Sequence, residues 1–363
     1  MTAAGEYPNL YNLDIESSSG NYEIYFEPFD NQINARNFCL VDSFFIDSLI
    51  FESKNIIWVD ATEDSKTLTS AERIVIELSR MGMTKGDHLL VIGGGCLQDI
   101  GTLVASLYMR GVKWTYVPTT LAAMGDSCIG GKSSINAGSV KNLVGNFYPP
   151  QKVIIDQSFC KTLPPLELIA GISEIIKICY AHSKENFMQS LEHVTDEDFR
   201  NRSENLNSLI HLSLKSKQYF IEVDEFDTGI RKLLNFGHSF GHALEASSGY
   251  QIPHGVAVMI GMIAAIKHND ATQTKEAKTL QRICLEFLKT VSKDIEGPLA
   301  EIDLQVFGEF LKRDKKNTSE NLVLILPKSD GLSIVEKSFN EGAVQLAVEA
   351  METARIEVLN EIR

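Results

Sequence analysis

The stretch Leu89-Leu90-Val91-Ile92-Gly93-Gly94-Gly95-Cys96-Leu97-Gln98-Asp99 reads as a short buried strand, a glycine turn and the approach to a helix that opens at about Asp99. Four consecutive apolar residues bounded by turn signals suit a strand covered on both faces, as in a parallel sheet. The glycines would let backbone N–H groups approach a diphosphate at a helix N-terminus. The run is not GxGxxG, and a tight strand-to-helix turn is the other reading of the same residues. Working outward, similar apolar runs stand at Tyr22–Phe26, Phe38–Val41, Ile56–Val59 and Trp114–Val117, with helical patterns between them. Strands alternating with helices at this spacing indicate parallel βαβ units. From Pro164 onward the pattern changes to longer amphipathic helices, at 166–182, 204–222, 256–269 and 275–292, interrupted by one strand-like run, Leu322–Leu326. The expected fold is therefore α/β: an N-terminal Rossmann-like parallel-sheet domain over 1–160 and a C-terminal mainly α-helical domain over 161–363. The two would join near Asp156–Pro165, and the polar residues 1–22 read mostly as a loose extension.

Length supports the division, because 363 residues exceed one ordinary core. Composition is that of a globular protein, 44% hydrophobic and 23% charged, with no apolar run long enough to span a bilayer. The N-terminus lacks the basic start and apolar core of a signal peptide. Six cysteines are scattered through apolar segments without CxxC spacing, which reads as buried reduced thiols in a cytoplasmic protein. A formal net charge of −14 argues against nucleic acid or an anionic membrane as partner. An anionic substrate would need a local basic pocket working against that field. No internal repeat or low-complexity tract is present.

The second informative stretch is Leu234-Asn235-Phe236-Gly237-His238-Ser239-Phe240-Gly241-His242, followed by Pro253-His254-Gly255. His238 and His242 are four apart, so on a helix they share a face. Upstream, Ser173-Glu174-Ile175-Ile176-Lys177 sets an acidic residue in an otherwise apolar helix. Two or three imidazoles and one carboxylate suit a catalytic, zinc-like divalent ion with an open position. An isolated pair would more often be satisfied core histidines. Glycines before His238 and His242, and a third His that also adjoins glycine, favour the metal.

Two further segments bear on ligands. Glu63-Asp64-Ser65-Lys66-Thr67 follows the strand Ile56–Val59 and either contacts a ribose or nicotinamide or forms a capping box on a solvated face. Gly125-Asp126-Ser127-Cys128-Ile129-Gly130-Gly131-Lys132 resembles a P-loop superficially, but it lacks the preceding strand and the four-residue spacer, so an NTPase reading is rejected. What remains is a flexible loop presenting Asp126 and Lys132, followed by Lys141-Asn142. Together with Arg110, at a helix end, and Arg231, near Asn235, these basic groups and amides read as a phosphate or carboxylate pocket.

Taken in order, the motifs resemble the sugar phosphate cyclase family over roughly Phe38 to Leu326, and within it most of all the dehydroquinate synthases. They are Glu63-x-x-Lys66, Gly93-Gly94-Gly95-x-x-x-Asp99, Tyr108-Met109-Arg110-Gly111, Pro118-Thr119-Thr120 and Asp126-Ser127-x-x-Gly130-Gly131-Lys132. Lys141-Asn142, Glu174-x-x-Lys177, Lys217, Asp224-Glu225 and Gly229-x-Arg231 follow. Asn235-x-x-His238-x-x-x-His242, His254-Gly255 and Asp314-Lys315-Lys316 complete the set. The resemblance implies a dehydroquinate synthase-like fold with Glu174, His238 and His254 holding zinc or cobalt. It implies NAD across Glu63, Lys66, Gly94, Gly95, Asp99, Thr119 and Thr120. Asp126, Lys132, Asn142, Lys177, Lys217, Arg231, Asn235, His242 and Lys316 would face a phosphorylated sugar or sugar acid. Arg110 matches a phosphate-binding arginine that can serve a neighbouring subunit, which implies a homodimer.

The family's chemistry is transient oxidation by NAD at a metal-bound hydroxyl, loss of phosphate, return of the hydride, ring opening and an intramolecular aldol closure. Lys132, Lys177 and Lys217 would steady phosphate and enolate-like charge, and His242 would relay a proton. The second His of the helix and Arg231, a partner for a substrate carboxylate, favour a 3-deoxy-arabino-heptulosonate 7-phosphate cyclase over relatives acting on sedoheptulose 7-phosphate or a neutral sugar phosphate. Two departures weigh the other way: Asn136-Ala137-Gly138-Ser139-Val140-Lys141-Asn142 stands where NHPLGKN is usual, and Asp227 where Glu is usual. They leave a secondary-metabolite cyclase as a rival. A metal-dependent polyol dehydrogenase, which would give Arg110 and Lys132 no role, is a second rival, and a catalytically silent NAD-binding scaffold a third.

Overall fold

The computed structural model describes residues 12–29, 37–49, 54–138, 140–194, 206–268, 271–314, 317–318 and 320–363. Lys315, Lys316 and residues 1–11 of the expected extension lie outside them. The described helices, in chain order, are α1 Leu68–Arg80, α2 Gly95–Leu107, α3 Pro165–His182, α4 Lys184–Val194, α5 Leu206–Val223 and α6 His238–Ser247. They continue with α7 His254–Lys267, α8 Lys275–Thr290, α9 Ser292–Ala300, α10 Leu304–Lys312 and α11 Glu341–Ile362. The strands are β1 Leu13–Ile15, β2 Tyr22–Phe26, β3 Phe38–Asp42, β4 Ile56–Val59, β5 His88–Gly93, β6 Lys113–Pro118, β7 Ile135–Ala137, β8 Val140–Val144, β9 Lys152–Ile155, β10 Asn321–Lys328 and β11 Gly331–Ser338. Among these helices none is long and apolar enough to cross a membrane.

The chain divides into two units, Met1–Leu163 with Asp196–Glu225, and Pro164–Thr195 with Phe226–Arg363. Residues 206–225, which the sequence pattern grouped with the helical domain, fall in the first unit. The physical reason is visible on α5. Ser213 Oγ donates to the Gly125 carbonyl at 2.7 Å, and Lys217 Nζ donates to the Asp126 carbonyl at 2.6 Å. The amphipathic pattern of α5 reports a buried face without reporting which unit buries it.

In the first unit a seven-stranded sheet runs in the order β1-β2-β9-β6-β5-β3-β4. Every pairing is parallel except β1 with β2. Neighbours β3 and β5 send their outgoing connections to opposite sides, so a topological switch point opens at their C-terminal ends, where α/β sheets bind ligands. Cys39, Val41, Phe45, Leu90, Ile92 and Val117 form a buried cluster in this unit, with Trp58 and Phe159 packed against it. The glycine-turn helix α2 starts at Gly95, not near Asp99, because Gly94 is its N-cap. Asp99 therefore sits in the second turn of α2.

In the second unit α7 is buried without interruption from Gly255 to Ile266 and is apolar all round, the signature of a central helix. Helices α3, α6, α8 and α11 pack on it. The approach of α6 depends on glycine: Gly237 caps it at φ +77°, and a Cβ on Gly261 of α7 would lie 2.2 Å from the Gly237 carbonyl oxygen. Strand β10 covers the predicted Leu322–Leu326 run but pairs with β11, which the sequence pattern missed. β11 alternates exposed and half-exposed residues, so its conformation comes from pairing with β10 more than from burial.

Candidate active site: a histidine–carboxylate cluster and a strand-end crevice

Glu174 lies on the buried face of α3, where Lys177, one turn on, donates to its Oε2. That leaves Glu174 Oε1, which is buried and accepts no hydrogen bond. His254 Nε2 is 3.6 Å from this oxygen and His238 Nε2 is 4.0 Å from it. His238 is the first residue of α6, and His242 follows one turn later on the same face. His254 is the first residue of α7. Potential ligand atoms of His238, His242 and His254 all lie within 4.8 Å of one another. An orphaned carboxylate oxygen facing two imidazole nitrogens is costly in a metal-free protein, and a cation between them would relieve that cost. The donors fit zinc or cobalt, and coordination by one carboxylate and two imidazoles leaves a position for substrate.

Each imidazole has a polar group near its Nδ1, within hydrogen-bond distance for His254 and His238. His254 Nδ1 is 3.0 Å from Glu245 Oε2, His238 Nδ1 is 3.2 Å from the Phe236 carbonyl, and His242 Nδ1 is 3.8 Å from Asp314 Oδ2. Packing around His254 works against its proton, but the Glu245 hydrogen bond and the charges of Glu174 and Glu245 outweigh it and hold its pKa above the ordinary imidazole value. Surroundings that favour a proton there also favour a metal cation. Of the other residues expected here, Arg231 is buried in the short 3-10 helix Ile230–Asn235, and Asn235 ends that helix with its amide donating to the Lys232 carbonyl.

In the first unit, three expected NAD segments follow the C-terminal ends of parallel strands of one sheet. Glu63–Lys66 follows β4, Gly94–Gly95 follows β5 and Thr119–Thr120 follows β6. Thr119 N donates to the Gly93 carbonyl at 3.1 Å, and a Cβ on Gly94 would meet Thr120 Cγ2 at 2.9 Å. Lys66 Nζ lies 2.9 Å from Asp99 Oδ2 and 3.6 Å from Glu63 Oε2, and donates to Asn142 Oδ1 at 3.0 Å. The capping-box alternative for Glu63 is not what forms: Glu63–Ser65 is a 3-10 turn, and Thr67 caps α1 through Ser70 N. Burial pushes the Asp99 carboxyl up to about 6, against the downward pull of Lys66.

The loop around Asp126 is packed and not flexible. Residues Ala123–Ser127 form a π-turn, and Lys217 Nζ holds Asp126 Oδ1 at 2.6 Å as well as the Asp126 and Ile129 carbonyls. Gly130 N donates to the buried Tyr22 hydroxyl at 2.8 Å, and Lys132 Nζ sits 5.9 Å above the Phe147 ring. Arg110 is exposed on a turn in which Met109, Arg110 and Gly111 all have positive φ. Lys85 donates to the carbonyls of all three. Lys316 lies outside the described residues.

Several contributors escaped the sequence reading. Asp42 ends β3 at the switch point, beside Gly93, where nucleotide folds place a ribose-binding acid. Its carboxyl is pushed up by burial. An acid closing an apolar strand was the available signal. Asn136 Nδ2 donates to Glu63 Oε1 at 2.9 Å, and its Oδ1 accepts from Asn142 N, which pins the β7–β8 hairpin to the Glu63 turn. Glu245 falls three residues after His242 on the same helical face, a spacing readable in the sequence but attached to no motif.

Family models described as 3-dehydroquinate synthase N-terminal and C-terminal match residues 56–170 and 171–317. A 3-dehydroquinate synthase from Natranaerobius thermophilus is 38% identical over 299 residues, 82% of this chain and 81% of its own. Among solved structures, a 2-deoxy-scyllo-inosose synthase complexed with carbaglucose-6-phosphate, NAD+ and Co2+ aligns with a TM-score of 0.75 and 22% identity, covering 94% of this chain and 99% of its own. A 2-epi-5-epi-valiolone synthase from Streptomyces hygroscopicus, with NAD+ and Zn2+ bound, aligns with a TM-score of 0.73 and 21% identity, covering 93% and 97%.

Proposed function

This chain belongs to the 3-dehydroquinate synthase family, and from that membership we propose that it converts 3-deoxy-arabino-heptulosonate 7-phosphate into 3-dehydroquinate and phosphate. The protein is thus a phosphate-eliminating cyclase, a carbon–oxygen lyase. The observation that carries the reading is the convergence of His238 and His254 Nε2 on the orphaned Glu174 Oε1.

Glu174, His238 and His254 would hold zinc or cobalt, and Glu63, Lys66, Asp99, Thr119, Thr120 and the Gly94–Gly95 backbone, joined by Asp42, would hold NAD. When bound, the metal supplies Lewis acidity toward a substrate hydroxyl, and NAD supplies a reversible hydride acceptor. The chain's own groups do the rest. His242, with Asp314 Oδ2 3.8 Å from its Nδ1, would carry a proton to and from the substrate. Lys132, Lys177, Lys217 and Arg110 would compensate phosphate and enolate charge, with Arg110 serving a second copy in a homodimer. Arg231 would pair with the substrate carboxylate, while Asp126, Asn142, Asn235 and Lys316 would set the orientation of its hydroxyls. The six cysteines form no disulfide, in keeping with a cytoplasmic enzyme.

A cyclase taking a different sugar phosphate is favoured by one observation. Of the replaced residues, Ala137 and Val140 pair in the β7–β8 hairpin that Asn136 pins to the Glu63 turn. Metal-loaded protein with NAD, offered 3-deoxy-arabino-heptulosonate 7-phosphate, sedoheptulose 7-phosphate and glucose 6-phosphate in turn, decides between them. Phosphate release from the first alone supports the dehydroquinate synthase reading. Release only from another would transfer the mechanism to that substrate.

A further inference from the structure

We infer that Glu245 is the positioning residue of the metal centre: it fixes His254 through Nδ1, so that Nε2 faces Glu174 Oε1, and it supplies negative charge that the cation needs. The inference rests on the metal assignment proposed above and goes beyond the three ligands.

The geometric part starts from helix α6. His238, His242 and Glu245 are spaced by four and three residues, so one face of α6 carries two imidazoles and a carboxylate. Glu245 reaches across to α7, where its Oε2 meets His254 Nδ1 at 3.0 Å. The His254 side chain is 46% exposed, against 12% for His238. Packing alone therefore holds His254 least firmly. A carboxylate accepting from Nδ1–H keeps the proton on that nitrogen and leaves the Nε2 lone pair for the metal.

The electrostatic part concerns charge count. His238 and His254 each open a helix, so both stand at positive dipole ends, where a cation is disfavoured. The charge of Glu174 is already matched by Lys177, bonded to its other oxygen. Asp314 lies 3.8 Å from Nδ1 of His242, not beside His254. Glu245 is therefore the carboxylate in direct contact with an imidazole that faces Glu174, and it offsets the two helix ends.

The test uses the full chain, stripped of metal, with zinc affinity read by competition against a chelator. Glu245→Gln keeps an acceptor for Nδ1–H but loses the charge; Glu245→Leu loses both. The expected result is zinc binding weaker by about tenfold in Glu245→Gln and about a hundredfold in Glu245→Leu. NAD affinity and metal-free thermal midpoint should match the unaltered protein. Equal losses in the two variants would overturn the orienting role, and wild-type affinity in both would overturn the inference while leaving the ligand assignment standing. Failure of the unaltered protein to bind one equivalent of zinc would overturn the assignment and the inference together.

Discussion

A Cβ placed on Gly255 would lie 2.4 Å from the carbonyl oxygen of Ala170. This contact sets how closely α7 approaches α3, and Glu174 follows Ala170 by one helical turn while His254 precedes Gly255. The ligand cluster thus depends on an absent side chain. Gly255→Ala is expected to force the helices apart, lowering stability by about 1–3 kcal/mol. It should weaken zinc binding as well. Urea denaturation and chelator competition measure the two effects, and an Ala variant with unchanged zinc affinity would break the link between this packing and the cluster.

His254→Ala removes a ligand nitrogen and the Glu245 contact together. Metal content and turnover should both vanish, while NAD affinity stays within about twofold, since the residues assigned to NAD lie in the other unit. Metal analysis and NAD titration check this. A metal-replete, active variant would remove His254 from the ligand set.

The Lys66–Asp99 pair predicts a pH dependence. Burial raises the folded-state pKa of Asp99 to about 6, above the ordinary 3.8, so the folded chain binds its proton more tightly than the unfolded chain does. Its contribution to stability is present below about 4 and is lost as pH rises toward about 6. Relative to Asp99→Asn, the unaltered protein should therefore lose unfolding free energy across that window. NAD affinity should move oppositely, rising as the carboxylate ionises and holds Lys66. Denaturation and NAD titrations from pH 4.5 to about 7.5 test both signs. An unaltered slope in Asp99→Asn would show that another group titrates.

His88 and His211 predict acid sensitivity outside the metal cluster. Burial lowers both pKa values below the usual 6.5, with Lys113 and Lys215 adding to the effect. Neutral imidazoles are favoured in the folded state, so stability present above about 6.5 declines as pH falls through the unfolded value. His88 also meets the Thr115 hydroxyl at 2.8 Å across adjacent strands. Its replacement by Gln, which cannot charge, should flatten the decline as pH falls below 6.5, measured by thermal melting. No change in slope would assign the acid sensitivity elsewhere.

Much of the fold was legible because it is written in periodicity. Ile56–Val59 and Tyr22–Phe26 coincide with their strands, and the helices beginning at Pro165 and Lys275 lie within a residue of their expected starts. What escaped was structure whose cause is remote in sequence. Lys152–Ile155 holds only three consecutive apolar residues and becomes a strand by pairing with β2 and β6. The membership of α5 in the first unit depends on Lys217 reaching carbonyls some ninety residues back. At the candidate site, residue types and spacings marked His238, His242 and His254, but not the acids behind their rings. Glu245 and Asp42 act through tertiary neighbours, and no local spacing announces that. Positive φ at Met109 and Arg110 was likewise invisible, since both residues ordinarily favour right-handed backbone.

The central claim is that Glu174, His238 and His254 would hold a divalent metal and the β4–β6 segments NAD, which would supply a reversible hydride acceptor while the chain expels phosphate. Single-turnover mixing of the zinc-loaded protein and NAD with 3-deoxy-arabino-heptulosonate 7-phosphate tests it most directly, following NADH absorbance and free phosphate together. The account predicts a transient NADH signal that decays to baseline as one phosphate and one carbocycle form per substrate consumed. NADH accumulating without phosphate release, or no reaction with a fully metal-loaded protein, would contradict it.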